Sequence, residues 1–201
     1  MKNISTLFLF AVVVAAISGC AIEKRAPQIT QESTVTTAAA GPYNRKDWPH
    51  WIDADGDCQN TRQEMLIASS RIAVTFKDGR RCTVIAGQWL DEYTGNLYIK
   101  ASDVDIDHIV PLAHAHRHGG YQWTRNQRRK FANDFENLEV VNESVNQSKG
   151  DQAPHEWLPP RERYWCEYGR RWTYIKEKYH LWYGKAERQF LNKLAETCRE
   201  L

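Results

Sequence analysis

The chain has 201 residues and a formal net charge of +2 at pH 7. That near balance argues against a protein that grips nucleic acid through overall basic charge, so any hold on phosphate has to come from local patches. About 160 residues follow position 42, one domain's worth, and no internal repeat is visible.

Met1-Lys2-Asn3 gives a short positive start, Ile4 to Ile17 is almost wholly apolar, and Ile17-Ser18-Gly19-Cys20 ends the run with small residues. This order predicts a secretory signal over 1–19. The run is shorter than the ~20 residues a spanning helix needs. A cysteine directly after Ser-Gly resembles the bacterial lipobox, in which the thiol is acylated and becomes the new N-terminus. An ordinary signal with an incidental cysteine is the alternative. Ala21 to Gly41 is rich in Thr, Ala, Gln and Ser and lacks aromatic residues, which predicts a disordered tether over 20–42. The expected location is the cell envelope, with the lipid at Cys20 anchoring a monomer to a bacterial membrane that faces the periplasm or exterior.

Five cysteines is an odd number for an exported chain. With Cys20 assigned to lipid, Cys58, Cys82, Cys166 and Cys198 form an even set that reads as two disulfides. Three pairings exist. Cys58–Cys82 and Cys166–Cys198 are favoured, because each joins chain neighbours within one apparent structural unit. A structural zinc site is the alternative, but no CxxC spacing is present.

Asp47 to Asp57 reads as a loop. Asp53, Asp55, Asp57 and Glu64 fall at the first, third, fifth and twelfth places of a calcium-loop template, whose sixth place demands glycine and here holds Cys58. Thr61 to Ala73 has helical character. Val74-Thr75-Phe76 and Cys82 to Ile85 flank Lys77-Asp78-Gly79-Arg80, a hairpin signal. Val104 to Val110 alternates as a strand does and stops at Pro111. His114, His116 and His118 precede Gly119-Gly120, which predicts a flexible loop with histidines facing solvent or DNA; a second metal site is the alternative. Trp123 to Asn133 is a basic helix on which Arg128 and Arg129 are candidate phosphate contacts, with a solvated face as the alternative. Leu138 to Val141 is a short strand, and Asn142 suits the cap of a helix carrying Val145 and Asn146. Residues 160–201 read as helical, with Tyr164, Trp165, Tyr168, Trp172 and Ile175 as core.

Three blocks carry candidate chemistry: Asp105 to Pro111, Glu136-Asn137-Leu138, and Asn146 to Asp151. A strand ending in Asp107-His108 turns adjacent side chains to opposite sides of the backbone. Asp107 can then face a metal while His108 reaches an attacking water. A second strand and a helix can return Asn146 to the same metal. Asp105 shares the facing of Asp107, lies further from His108, and reads as structural.

These blocks resemble the HNH nuclease motif, and Asp-Ile-Asp-His-Ile-Val-Pro is close to the first strand of the HNH domain in RNA-guided DNA nucleases. Asp57 to Arg62, Phe131 to Asp134, Trp157-Leu158-Pro159-Pro160, Cys166 and Cys198 extend the likeness to exported bacterial HNH proteins related to the C-terminal domain of GmrSD-type restriction enzymes. The resemblance implies an α+β fold over 43–201. Its ββα-metal (HNH) core lies at about 103–151, with an N-terminal hairpin and helix and helices at the C-terminal end. It implies His108 as general base, Asn137 orienting His108 through a side-chain or backbone oxygen, and Asp107 and Asn146 as metal ligands. Lys149 becomes a phosphate contact, and Arg62 either that or an ion pair with Glu64. One divalent ion, Mg²⁺ or Mn²⁺, is expected because both ligands offer oxygen. The implied activity is phosphodiester hydrolysis in nucleic acid, DNA before RNA, with little sequence preference. A non-catalytic nucleic-acid-binding lipoprotein of the same fold is the alternative.

Overall fold

The computed structural model of the chain describes residues 41–199. The predicted signal, Cys20 and the tether up to residue 40 lie outside the described residues.

Asn60 begins α1 (Thr61–Ser69) by accepting from the Gln63 amide with its side chain. The helix ends four residues earlier than the sequence pattern predicts. Ser70 turns extended, its hydroxyl accepting from Gln88 N at 3.0 Å, which draws the chain onto a neighbouring strand. β1 (Thr75–Phe76), β2 (Val84–Leu90) and β3 (Leu97–Lys100) form an antiparallel sheet in that order. Asp78 closes the expected β1–β2 hairpin by accepting from Arg80 N. β3 and the length of β2 go beyond the sequence expectation. Trp89 ties this sheet to α1, its indole N–H donating to Leu66 O at 2.8 Å.

β4 (Val104–His108) pairs antiparallel with β5 (Leu138–Asn142), with Val104 opposite Asn142 and His108 opposite Leu138. Between them run α2 (Leu112–Arg117) and α3 (Arg125–Ala132). The structure corrects the predicted flexible loop: His114 and His116 stand on α2 and are buried. α3 starts with the Thr124/Gln127 capping box. Asn142 caps α4 (Glu143–Lys149) as expected, accepting from Ser144 N. α4 packs on both β4 and β5, so strand, strand and helix form one unit.

α5 (Trp165–Lys178) and α6 (Lys185–Thr197) complete an α+β domain. Two disulfides brace it in the favoured pairing. Cys58–Cys82 ties the loop before α1 to the hairpin, and Cys166–Cys198 ties α5 to the end of α6. One apolar cluster holds Leu66, Val84, Trp89, Ile106, Leu138 and Val140. The larger one holds Trp48, Tyr93, Phe131, Tyr168, Trp172 and Ile175. The late aromatics are thus mainly core, although Tyr174 and Trp182 are exposed.

Candidate active site

The pleat of β4 puts Asp105 and Asp107 on one face and His108 on the other. α4 crosses the first face, with Asn146 and Lys149 one turn apart. Asn146 Nδ2 donates to Asp105 Oδ2 at 3.2 Å. The Lys149 ammonium lies 2.9 Å from both Asp107 carboxylate oxygens and also donates to the His108 carbonyl at 2.9 Å. Tyr93 Oη donates to Asp107 Oδ2 at 2.7 Å. Lys149 is wholly buried and Asp107 nearly so. Burial pushes the Asp107 carboxyl up and the Lys149 ammonium down, and their mutual contact opposes both shifts. Strand and helix are therefore joined by two polar pairs in register.

His108 turns the other way, against Trp51, with ring centroids 5.5 Å apart and planes 24° from parallel. Its Nε2 sits 2.9 Å from the Ala132 carbonyl, which can only accept. The proton is thereby assigned to Nε2, leaving Nδ1 as the basic nitrogen. Burial lowers the His108 pKa to about 3, so the ring is neutral at ordinary pH. A cleft of about 250 Å³ is lined by Arg45, Asp107, His108, Asn146 and Asp151, among others.

Several sequence expectations need correction. Asn137 makes no hydrogen bond to the His108 ring. Its Oδ1 accepts from Val110 N at 2.9 Å and its backbone oxygen accepts from Ile109 N at 2.8 Å, so it holds the chain just after His108. The Ala132 carbonyl does the orienting that was expected of Asn137. Lys149 cannot meet phosphate while it is buried against Asp107. Arg62 does not pair with Glu64; its Nη2 donates to the Ala101 and Val104 carbonyls, which turns the guanidinium into the fold. Arg128 is also spent inside the fold, donating to the Gly120 and Tyr121 carbonyls. Arg129 remains exposed, on a different groove that it shares with Asn126 and Lys130.

The sequence reading missed Tyr93, Trp51, Ala132 and Arg45. Tyr93 and Trp51 come from loops far from the motif. Ala132 acts through its backbone, which carries no side-chain signal. Asn133, within the Phe131–Asp134 block, fastens the loop that presents Trp51. It donates to Pro49 O and accepts from Ile52 N and the Thr61 hydroxyl.

His114 belongs to a second buried network rather than to solvent. Lys176 Nζ lies 2.7 and 2.8 Å from the Glu187 oxygens and 3.2 Å from His114 Nε2, while Trp172 Nε1 donates to Glu187 at 2.7 Å. His118 stacks on His114 with centroids 3.9 Å apart. The ligand atoms of His114, His118 and Glu187 lie within 4.8 Å of one another, but the ammonium already supplies the cation between them. The carboxylates of Asp53, Asp55 and Asp57 also cluster. Asp53 accepts from Gly56 N and Cys58 N and Asp57 from Gln59 N, so the loop's own amides use them.

Burial also lowers the His114 pKa, to about 4 from an ordinary 6.5. The unfolded chain binds a proton there that the folded one refuses, so this histidine's share of stability is lost as pH falls below about 6.5. At pH 5 the loss should be about 2 kcal/mol. Urea titrations at pH 7 and pH 5 check this against His114→Gln, which should lose less between the two. Equal losses would contradict the assignment.

The family model described as GmrSD restriction endonucleases, C-terminal domain, matches residues 60–194. The chain belongs to that family, a nuclease-like HNH class. It is also 42% identical over 171 residues to a protein of the fungus Arthroderma benhamiae named "Uncharacterized secreted protein", covering 83% of this chain and 82% of the relative. The relative is fungal, so the expected bacterial setting is not supported by it. No solved structure matches the chain.

Proposed function

We propose that this protein is a metal-dependent HNH endonuclease that hydrolyses phosphodiester bonds in nucleic acid. The observation that carries the reading is His108, whose Nε2 is tied to the Ala132 carbonyl so that Nδ1 is the basic nitrogen, beside a cleft shared with Asp107 and Asn146. In this reading Nδ1 takes the proton from the attacking water while Nε2–H stays anchored. Trp51 and Ala132 hold the ring, Lys149 and Tyr93 hold Asp107, and Asp105 holds the Asn146 amide nitrogen, leaving the amide oxygen for another partner. β4, β5 and α4 then form the ββα-metal core.

Asp107 and Asn146 fit a hard divalent cation through oxygen atoms, and both line the cleft. The Lys149 ammonium cancels the Asp107 charge, so the pair alone is a weak site and a substrate phosphate has to supply a further ligand. A metal bound there would neutralise charge on the scissile phosphate and leaving oxygen. The same Lys149 contact is the one observation that favours the alternative, a binding protein without turnover.

DNA is the proposed substrate before RNA, on the likeness of Asp105 to Pro111 to DNA nucleases. The signal-like N-terminus, the two disulfides and the name of the fungal relative support export. Anchoring by lipid at Cys20 rests on the sequence alone.

Rates on plasmid, linear DNA and RNA with Mg²⁺, Mn²⁺ or Zn²⁺ test the reading. The wild type should work best on DNA with Mg²⁺ or Mn²⁺. Asn146→His adds a nitrogen ligand and should shift the preference toward Zn²⁺, Ni²⁺ or Co²⁺. Best wild-type activity with Zn²⁺, or an unchanged preference in the variant, would mean that the ligands are wrongly assigned.

A further inference from the structure

We propose that Arg45 is a substrate-binding residue that contacts a backbone phosphate of the nucleic acid beside His108. This inference deepens the nuclease reading and rests on it. Arg45 precedes the stretch matched by the family model, and it lines the same cleft as Asp107, His108 and Asn146. Its side chain is exposed and makes no salt bridge among the described residues. Both acids of that cleft are already paired, Asp107 with Lys149 and Asp151 with Arg117 at 2.5 Å. A cation with the Tyr43 hydroxyl beside it, and with no carboxylate partner among the described residues, is therefore presented where an anionic substrate would meet the base.

The segment carrying it is built rather than loose. Asn44 caps the turn Arg45–Asp47 by accepting from Lys46 N, and the Lys46 carbonyl accepts from Arg125. Trp48 is fully buried, with Trp123 and Phe131 against it. Gly120 makes room for that indole, because a Cβ there would stand 2.8 Å from both the Trp48 ring and the Ala115 carbonyl oxygen. On the other side His116 Nε2 donates to the Gly41 carbonyl, and Tyr43 packs edge-on against the His116 ring. Residues 41–48 are pinned at both ends, which fixes the backbone of Arg45 at the cleft. A guanidinium suits this task, since its planar fork matches phosphate oxygens and it stays charged at any working pH. Lys149, Arg62 and Arg128 are committed to the fold and Arg129 lies on a different groove, so the cleft draws its phosphate contact from this earlier segment.

The test uses the full chain in EDTA with a fluorescent phosphorothioate DNA oligonucleotide, titrated at several salt concentrations, and in parallel a cleavage assay with Mg²⁺. Arg45→Ala should weaken binding about tenfold or more and flatten the salt dependence by about one ion. It should raise KM more than it lowers kcat, and Arg45→Lys should recover part of the affinity. Thermal melting of both variants should match the wild type, since the side chain is exposed. If the wild type cleaves and Arg45→Ala binds and cleaves as the wild type does, the Arg45 proposal falls and the nuclease reading stands. If the wild type binds without cleaving and Arg45→Ala weakens binding, the nuclease reading falls and Arg45 stands as a phosphate contact. If the wild type does neither, both fall.

Discussion

Lys149→Met should destabilise the domain by about 3–5 kcal/mol, because it strands Asp107 in the interior without its counter-charge. The lysine is wholly buried, and its ammonium meets both Asp107 oxygens and the His108 carbonyl. Removing it leaves the carboxylate with the Tyr93 hydroxyl and the His108 backbone, and no counter-charge in contact. The double substitution Asp107→Asn with Lys149→Met removes both charges and should recover a large part of the loss. Urea denaturation of the wild type, Lys149→Met, Asp107→Asn and the double variant closes the cycle. A cost under about 1 kcal/mol for Lys149→Met, typical of exposed pairs, would show that the buried pair is not formed as described.

His108→Ala should lower cleavage by about 10²–10⁴-fold, the usual contribution of a general base. The effect on folding should be smaller in consequence, because the ring's partners are the Trp51 face and one backbone carbonyl. Near-UV circular dichroism should therefore remain native-like while turnover collapses. His108→Gln offers no basic nitrogen and should be equally inactive. A variant that turns over like the wild type would remove His108 from the mechanism.

Much of this fold follows from local rules. The Asp78-Gly79 turn, the Asn142 cap and the helical period through Tyr168, Trp172 and Ile175 each rest on neighbours in sequence, and each is found. The pairing of β4 with β5 joins strands separated by α2 and α3, and it was expected from the likeness to the HNH motif rather than from local rules. What failed was mostly long-range. The polar spacing of His114, His116 and His118 looked like a solvated loop, but Lys176 and Glu187, over 60 residues on, make a buried place for His114. Lys149 looked like a phosphate ligand because its position follows Asn146 on one element. That same spacing puts it one turn along α4, facing Asp107. Arg62 and Arg128 cap backbone carbonyls, a use that no side-chain pattern announces. The Ala132 carbonyl, which sets the His108 tautomer, is invisible in sequence for the same reason.

The most direct test of the central claim is strand cleavage of a supercoiled plasmid by the full-length protein, with Mg²⁺ and with EDTA. Nicking and linearisation should need the metal and be lost in His108→Ala. A protein that binds the plasmid yet leaves it intact with Mg²⁺ and with Mn²⁺ would contradict the claim.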